Sequence, residues 1–340
     1  MRLLRIATTA ILIGPLVAVQ APAQTASRTE KVEGYAEYHR GEWLVVDGQR
    51  LVLPPSVPIR ARGGPFTSLR EVPLGHEVEA RGRRDTSGAL VVSTIAVKPN
   101  GDALFERDIR QATDQMEAMW LERGEIVEED ESGRGQRIGR IVESGPQVDR
   151  AERILRRLAP PYLGAESVRV RVVESKEWNA MAMGNGALWV FSGLLDDMDD
   201  DEVAIVLGHE LAHYTHEHSR RGFRRAMWTQ LLAIGVAVVA DAALESERTK
   251  AIVGLASAFS LLAWQSGYGR DHEDQADRVG MRYAHEGGFD VAKGPALWEK
   301  FAKRYGQPNA VANFFFGNHS QASARARHLR REIDLNYRSY

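Results

Sequence analysis

Not one of the 340 residues is a cysteine. Disulfides, thiolate-bound zinc, cysteine nucleophiles and a lipidated cysteine anchor are therefore excluded. An excess of charge is also missing: 44 Lys and Arg stand against 46 Asp and Glu, a net charge of −2. Without a basic footprint, nucleic acid is not expected as a partner. Long apolar runs are scarce too. Trp228 to Ala240 is uncharged for thirteen residues, short of the roughly 20 a membrane-spanning helix needs. Ala251 to Tyr268 is also uncharged but carries Gly254, Ser257, Ser260, Gln265 and Ser266. The pair reads as helices packed on a soluble domain rather than a transmembrane hairpin. Its apolar surplus leaves peripheral membrane contact through 228–268 open.

What is present is ordinary globular composition, with 44% hydrophobic and 26% charged residues. The length favours two domains. The start is more particular. Met1-Arg-Leu-Leu-Arg5 is basic, Ile6 to Val19 is mostly apolar, and Ala21-Pro22-Ala23 fits a small-residue cleavage rule. Residues 1–23 read as a secretory signal peptide, with an exported, periplasmic mature chain from Gln24. An uncleaved, membrane-associated form is the alternative.

A linker (24–31) leads to a β-rich segment, 32–98. Trp43–Val46, Arg50–Leu53, Val57–Ile59, Glu77–Ala80 and Ala89–Val97 are short runs between turn residues, as in a small all-β barrel. Arginines 60, 62, 81, 83 and 84 there lack interleaved aromatics, so they read as a solvated surface. Residues 99–147 read as a helix and an acidic connector or hairpin. Val148 to Leu158 is amphipathic, and Val168 to Val173 alternates like a strand.

The chemistry lies in His209-Glu210-Leu211-Ala212-His213. On a helix, residues four apart share a face, so two imidazoles can point at one Zn²⁺. Glu210 sits too near in sequence to be the third ligand but can act as general base on a water beside the ion. The helix is signalled separately by Asp199 or Asp200 as N-cap and by carboxylates in the first turn. A catalytic zinc takes three protein ligands and keeps one open position. Glu273, in Asp271-His-Glu273-Asp-Gln-Ala-Asp277, is the expected third. Asp277, one turn on, can orient a zinc-bound imidazole.

These segments, in this order, resemble the HtpX-like and CAAX prenyl endopeptidase family of gluzincin zinc metallopeptidases. His209-Glu-x-x-His213 with its continuation to His218 resembles the zinc helix, and Glu273-x-x-Ala-Asp277 the glutamate-ligand helix. Asn179 to Leu195, with Met183, Gly184 and Gly186, resembles the edge strand and turn before it. His319-Ser320 followed by Arg325 resembles a His-Pro-(four)-Arg element, with serine in place of proline.

The resemblance implies an α+β fold. A mainly helical zincin-type metallopeptidase domain (148–340) with a small edge-exposed sheet would follow the barrel-like domain. It implies one zinc ion per chain and protein or peptide substrates paired along Asn179, Met183, Gly184 and Gly186. His319 would stabilise an oxyanion, and Arg325 would support the site. The expected activity is metalloendopeptidase cleavage of exported or misfolded proteins. A chaperone or assembly factor on the same fold is the alternative, and a structural zinc would not need Glu210.

Overall fold

The computed structural model describes residues 29–62, 65–98, 103–129, 135–164, 166–223, 270–305 and 322–337. The signal-peptide segment, the two apolar stretches within 228–268 and His319 lie outside these residues.

The amino-terminal part is a six-stranded sheet: β1 (Glu30–Arg40), β2 (Trp43–Val46), β3 (Gln49–Val52), β4 (Ile59–Ala61), β5 (Glu77–Arg84) and β6 (Leu90–Lys98). The order is β3-β2-β1-β5-β6-β4, and β3 also pairs with β6 through Leu51↔Leu90 and Val52↔Val91. The core holds Val32, Ala36, Leu44, Val46, Leu51, Val78, Leu90, Val92 and Ile95. β1 is the strand that the run of apolar residues did not reveal. Gly34 to Tyr38 are buried consecutively, because this strand is covered on both sides. Val32 and Ala36 enter the sheet core, whereas Tyr35 and Glu37 meet the helices of the second part.

Helix α1 (Ala103–Arg123) connects to a second sheet of β7 (Glu125–Glu129), β8 (Gly135–Val142), β9 (Arg169–Glu174), β10 (Ala180–Ala182) and β11 (Ala187–Phe191). The acidic segment after α1 thus takes the hairpin form, β7 against β8. The order is β10-β11-β9-β8-β7, which leaves β10 at an edge among the described residues. Within this sheet, among the described residues, β11 and β9 are the parallel pair.

Packed on this sheet and on one another are α2 (Pro146–Leu158), α3 (Ser192–Asp197), α4 (Asp200–Thr215), α5 (Arg270–Glu286), α6 (Gly294–Tyr305) and α7 (Ala322–Asn336). Asp199 caps α4 by accepting from Asp201 and Glu202 N–H groups, and Glu202 returns a bond to the Asp199 N–H, a reciprocal capping box. Among the described residues, no helix is long and apolar enough to cross a membrane.

Helices α4 and α5 touch at two glycines. A methyl group added at Gly280 would lie 2.6 Å from the His209 nitrogen, and one at Gly208 would lie 2.7 Å from the Gly280 oxygen. Gly280 stands two turns beyond Glu273. The missing side chains let the helix axes approach beside His209, which brings Glu273 within reach of both histidines.

Candidate metal centre

His209 and His213 project from consecutive turns of α4, and Glu273 from the first turn of α5. All three are buried. The two Nε2 atoms are 3.0 Å apart. Glu273 places Oε2 3.4 Å from His209 Nε2 and Oε1 3.5 Å from His213 Nε2. One ligand atom from each residue lies within 4.8 Å of the others, and this is the single such group of His, Asp and Glu among the described residues. Two imidazole nitrogens and a carboxylate converging on one point form a donor set suited to zinc. The residues present therefore fit the ion that the spacing implies.

Asp277 and Arg325 complete one side. Asp277 Oδ1 is 3.0 Å from His209 Nδ1, and its Oδ2 accepts from Arg325 Nε at 3.0 Å. Arg325 Nη2 also lies 2.9 Å from His209 Nδ1. That nitrogen carries either a proton or a lone pair, not both. If Nε2 faces the metal, Nδ1 holds the proton and donates to Asp277, so the guanidinium bonds to the carboxylate instead. Arg325 lies 3.5 Å over the Trp298 ring of α6, which is itself buried. Sequence patterning did not reveal Trp298, since a tryptophan at helical spacing reads as core.

With protein groups alone, charge is arranged unevenly. Burial and Arg325 oppose a charge on His209, but Asp277 and Glu273 outweigh them and raise its pKa to about 9. Burial works against the Asp277 carboxylate too, and Arg325 and His209 overcome it, lowering its pKa to about 2. Burial pushes Glu210 up to about 8; His209 and Arg325 pull down, Glu273 adds to the rise, and the Ala182 N–H pulls down as a hydrogen-bond donor.

That strand is partly spent on its neighbour. The Asn179 carbonyl accepts from Phe191 N–H and Met183 N–H donates to the Ala187 carbonyl, each at 2.9 Å. In an antiparallel ladder the alternate residues face the other way, so Ala180 and Ala182 turn their main-chain groups to the open edge. Gly184 sits under α1, where an added methyl would lie 2.4 Å from Ile109. Gly186 occupies the β10–β11 turn at φ +85°, and a side chain there would strike the Ser167 carbonyl. Both glycines serve close packing. A cavity of about 170 Å³ opens beside this edge, lined by Ile109, Leu163, Ala182, Met183, His213 and Tyr214 among others.

The far side of His213 carries residues that sequence reasoning did not assign. Its Nδ1 is 2.8 Å from His218 Nδ1, and His218 Nε2 is 3.0 Å from Gln275 Oε1. His218 was visible only as the end of the motif's helix; Gln275, two residues past Glu273, gave no signal.

Residues 147–333 match the profile of peptidase family M48. Metalloprotease LoiP of Escherichia coli is 28% identical over 169 residues, covering 49% of this chain and 64% of that protein. Metalloprotease YcaL of the same organism is 29% identical over 166 residues, 49% of this chain and 62% of that protein. Mitochondrial metalloendopeptidase OMA1 of Bos taurus is 28% identical over 170 residues, 48% of this chain but 32% of its own length. The chain thus spans under two thirds of these curated relatives. The profile match takes in α2 to α7 with every described residue of the metal centre, and the chain belongs to the M48 family of metallopeptidases.

Proposed function

We propose that this chain is a zinc-dependent endopeptidase acting on extended segments of proteins. The observation that carries the reading is a buried carboxyl, Glu210, on the helix that supplies both histidines of a His–His–Glu donor set and that packs against the edge strand β10. Zinc, when bound by His209, His213 and Glu273, supplies polarisation of a water and of the scissile carbonyl. Glu210 accepts the proton of the attacking water and returns it to the leaving amine. Ala180, with its N–H and carbonyl, and Ala182, with its carbonyl, offer main-chain groups to which an extended substrate can add as a further strand, a contact that selects backbone over side chain. Asn179, Met183, Gly184 and Gly186 shape that strand from within. His319 is assigned the oxyanion role through the HtpX-like resemblance alone.

The β3–β6 pairing supports a closed, barrel-like amino-terminal domain. Export fits the leader-like start, and the mature protein is expected to begin at Gln24; recovery with Met1 intact would oppose it. A metallopeptidase-fold assembly factor that binds clients without cutting them is the second reading. One relative, 28% identical over 138 residues, is the beta-barrel assembly-enhancing protease of Escherichia coli. Glu210→Gln separates the readings. It should keep zinc and fold, while casein cleavage falls by on the order of 10²-fold or more. Equal cleavage by variant and parent would sink the mechanism. If neither cleaves and both prevent client aggregation equally, the binding reading takes over.

A further inference from the structure

We propose that Gln275 is a positioning residue that fixes the tautomer of the zinc ligand His213, and that the amino-terminal sheet helps to hold it there. The inference rests on His213 being a zinc ligand, as proposed above. Its force comes from which atoms can only donate and which can only accept.

Gln275 is buried, and its amide is clamped at both ends. Its Nε2 lies 2.9 Å from Glu37 Oε1 of β1 and 2.7 Å from Asp47 Oδ1 in the β2–β3 turn. Carboxylates only accept, so the NH₂ group must face them. Its Oε1 lies 2.7 Å from Arg221 Nη1. A guanidinium only donates, so the oxygen must face it. The amide therefore has one orientation. Oε1 also meets His218 Nε2 at 3.0 Å, and this ring nitrogen must then carry a proton. Neutral His218 is left with a lone pair on Nδ1. At 2.8 Å, His213 Nδ1 must be the donor in that contact. His213 Nε2, the atom beside His209 and Glu273, is left unprotonated. That is the tautomer a metal requires.

Each link is itself held. Glu37 is buried and paired with Arg278 at 2.7 Å, and also accepts from the Gly48 N–H at 3.1 Å. Asp47 accepts from the Tyr35 N–H at 3.1 Å. Arg221 lies 3.6 Å over the Tyr35 ring, so β1 supports the donor clamp as well as the acceptors. The amino-terminal sheet thus reaches a zinc ligand through two intervening side chains.

The test uses the full chain. Long-range ¹H–¹⁵N spectra of the metal-free protein report imidazole tautomers, and chelator competition gives zinc affinity. The parent should show one tautomer each at His213 and His218. Gln275→Met, which keeps the bulk and removes both amide ends, should mix the tautomers and weaken zinc about 10- to 100-fold. Gln275→Glu made together with Glu37→Gln and Asp47→Asn restores an acceptor for His218 and Arg221 while giving its other oxygen amide donors, and should bring zinc back to within about threefold of the parent. The pair Glu37→Gln with Asp47→Asn should weaken zinc at least about threefold, a smaller effect because Arg221 remains. Arg282→Ala perturbs the same face at the Tyr38 ring, 5.6 Å away, outside the chain of bonds, and should change neither readout. Near-UV circular dichroism establishes that each variant is folded. A folded Gln275→Met protein with parental zinc affinity and unmixed tautomers overturns the proposal. So does an equal loss in Arg282→Ala, and so does a parent with mixed tautomers. The tautomer readout needs no peptidase activity, so failure here is distinct from failure of the enzymatic reading.

Discussion

Asp277→Asn perturbs the metal centre through a residue that is not a ligand. The carboxylate accepts from His209 Nδ1 and from Arg325. An asparagine can keep one of these bonds through its oxygen, but it removes the charge that balances the guanidinium. Arg325 is 1% exposed. Its next acid is Glu273 at 3.7 Å, the proposed third zinc ligand. Breaking one partner of a buried ion pair costs about 3–5 kcal/mol. Loss of an outer partner to a ligating histidine weakens metal binding about 10- to 100-fold, which removes a further ~1.4–2.7 kcal/mol of zinc-linked stability at saturating metal. The metal-free variant should therefore lose about 3–5 kcal/mol in a urea melt, and the zinc-loaded one more. Adding Arg325→Met removes the stranded charge. The double variant should regain much of the stability but none of the zinc affinity. If the single variant melts with the parent, or if the double variant is worse than the single, the electrostatic account of this pair is wrong.

Two further outcomes follow from packing and protonation. Gly280→Ala puts a methyl against the α4 backbone and should cost at least about 1–3 kcal/mol, with zinc lost in proportion as Glu273 moves away; a parental melt and parental zinc affinity would mean that the helices have room. Glu210 has a folded pKa of about 8, raised by burial above the ordinary carboxylate value near 4.5. The metal-free folded state therefore keeps a proton that the unfolded chain has lost. Its stability should fall as pH rises between those values. Glu210→Gln should flatten that part of the profile; an unchanged slope would assign the dependence elsewhere.

The metal centre was legible where chemistry follows from helical spacing. His209, Glu210 and His213 on one helix, and Glu273 with Asp277 on another, needed only the i, i+4 rule and the valence of zinc. The Asp199 cap was legible for the same local reason. Arg325 came only through resemblance, because nothing local ties a lone arginine to a histidine 116 residues away. Strand β1 was missed because its two faces are both covered, which erases the alternation by which strands are read. The bond between Gln275 and Glu37 spans 238 residues, and neither side chain is unusual in its own segment. Gly208 and Gly280 carry no signal within their own segments, because their purpose lies in the close crossing of α4 and α5. Asn179 and Met183 flank the edge strand Ala180–Ala182, and the pairing register with β11 decides which residues face outward; register is not written in a single strand.

The most direct test is a zinc titration of the metal-free chain with casein cleavage read at each step. The predicted result is cleavage that rises with bound zinc and levels at one equivalent, with Glu273→Ala showing neither tight binding nor cleavage. Cleavage by metal-free protein, or a Glu273→Ala protein that binds and cuts like the parent, would contradict the assignment of a catalytic zinc to His209, His213 and Glu273.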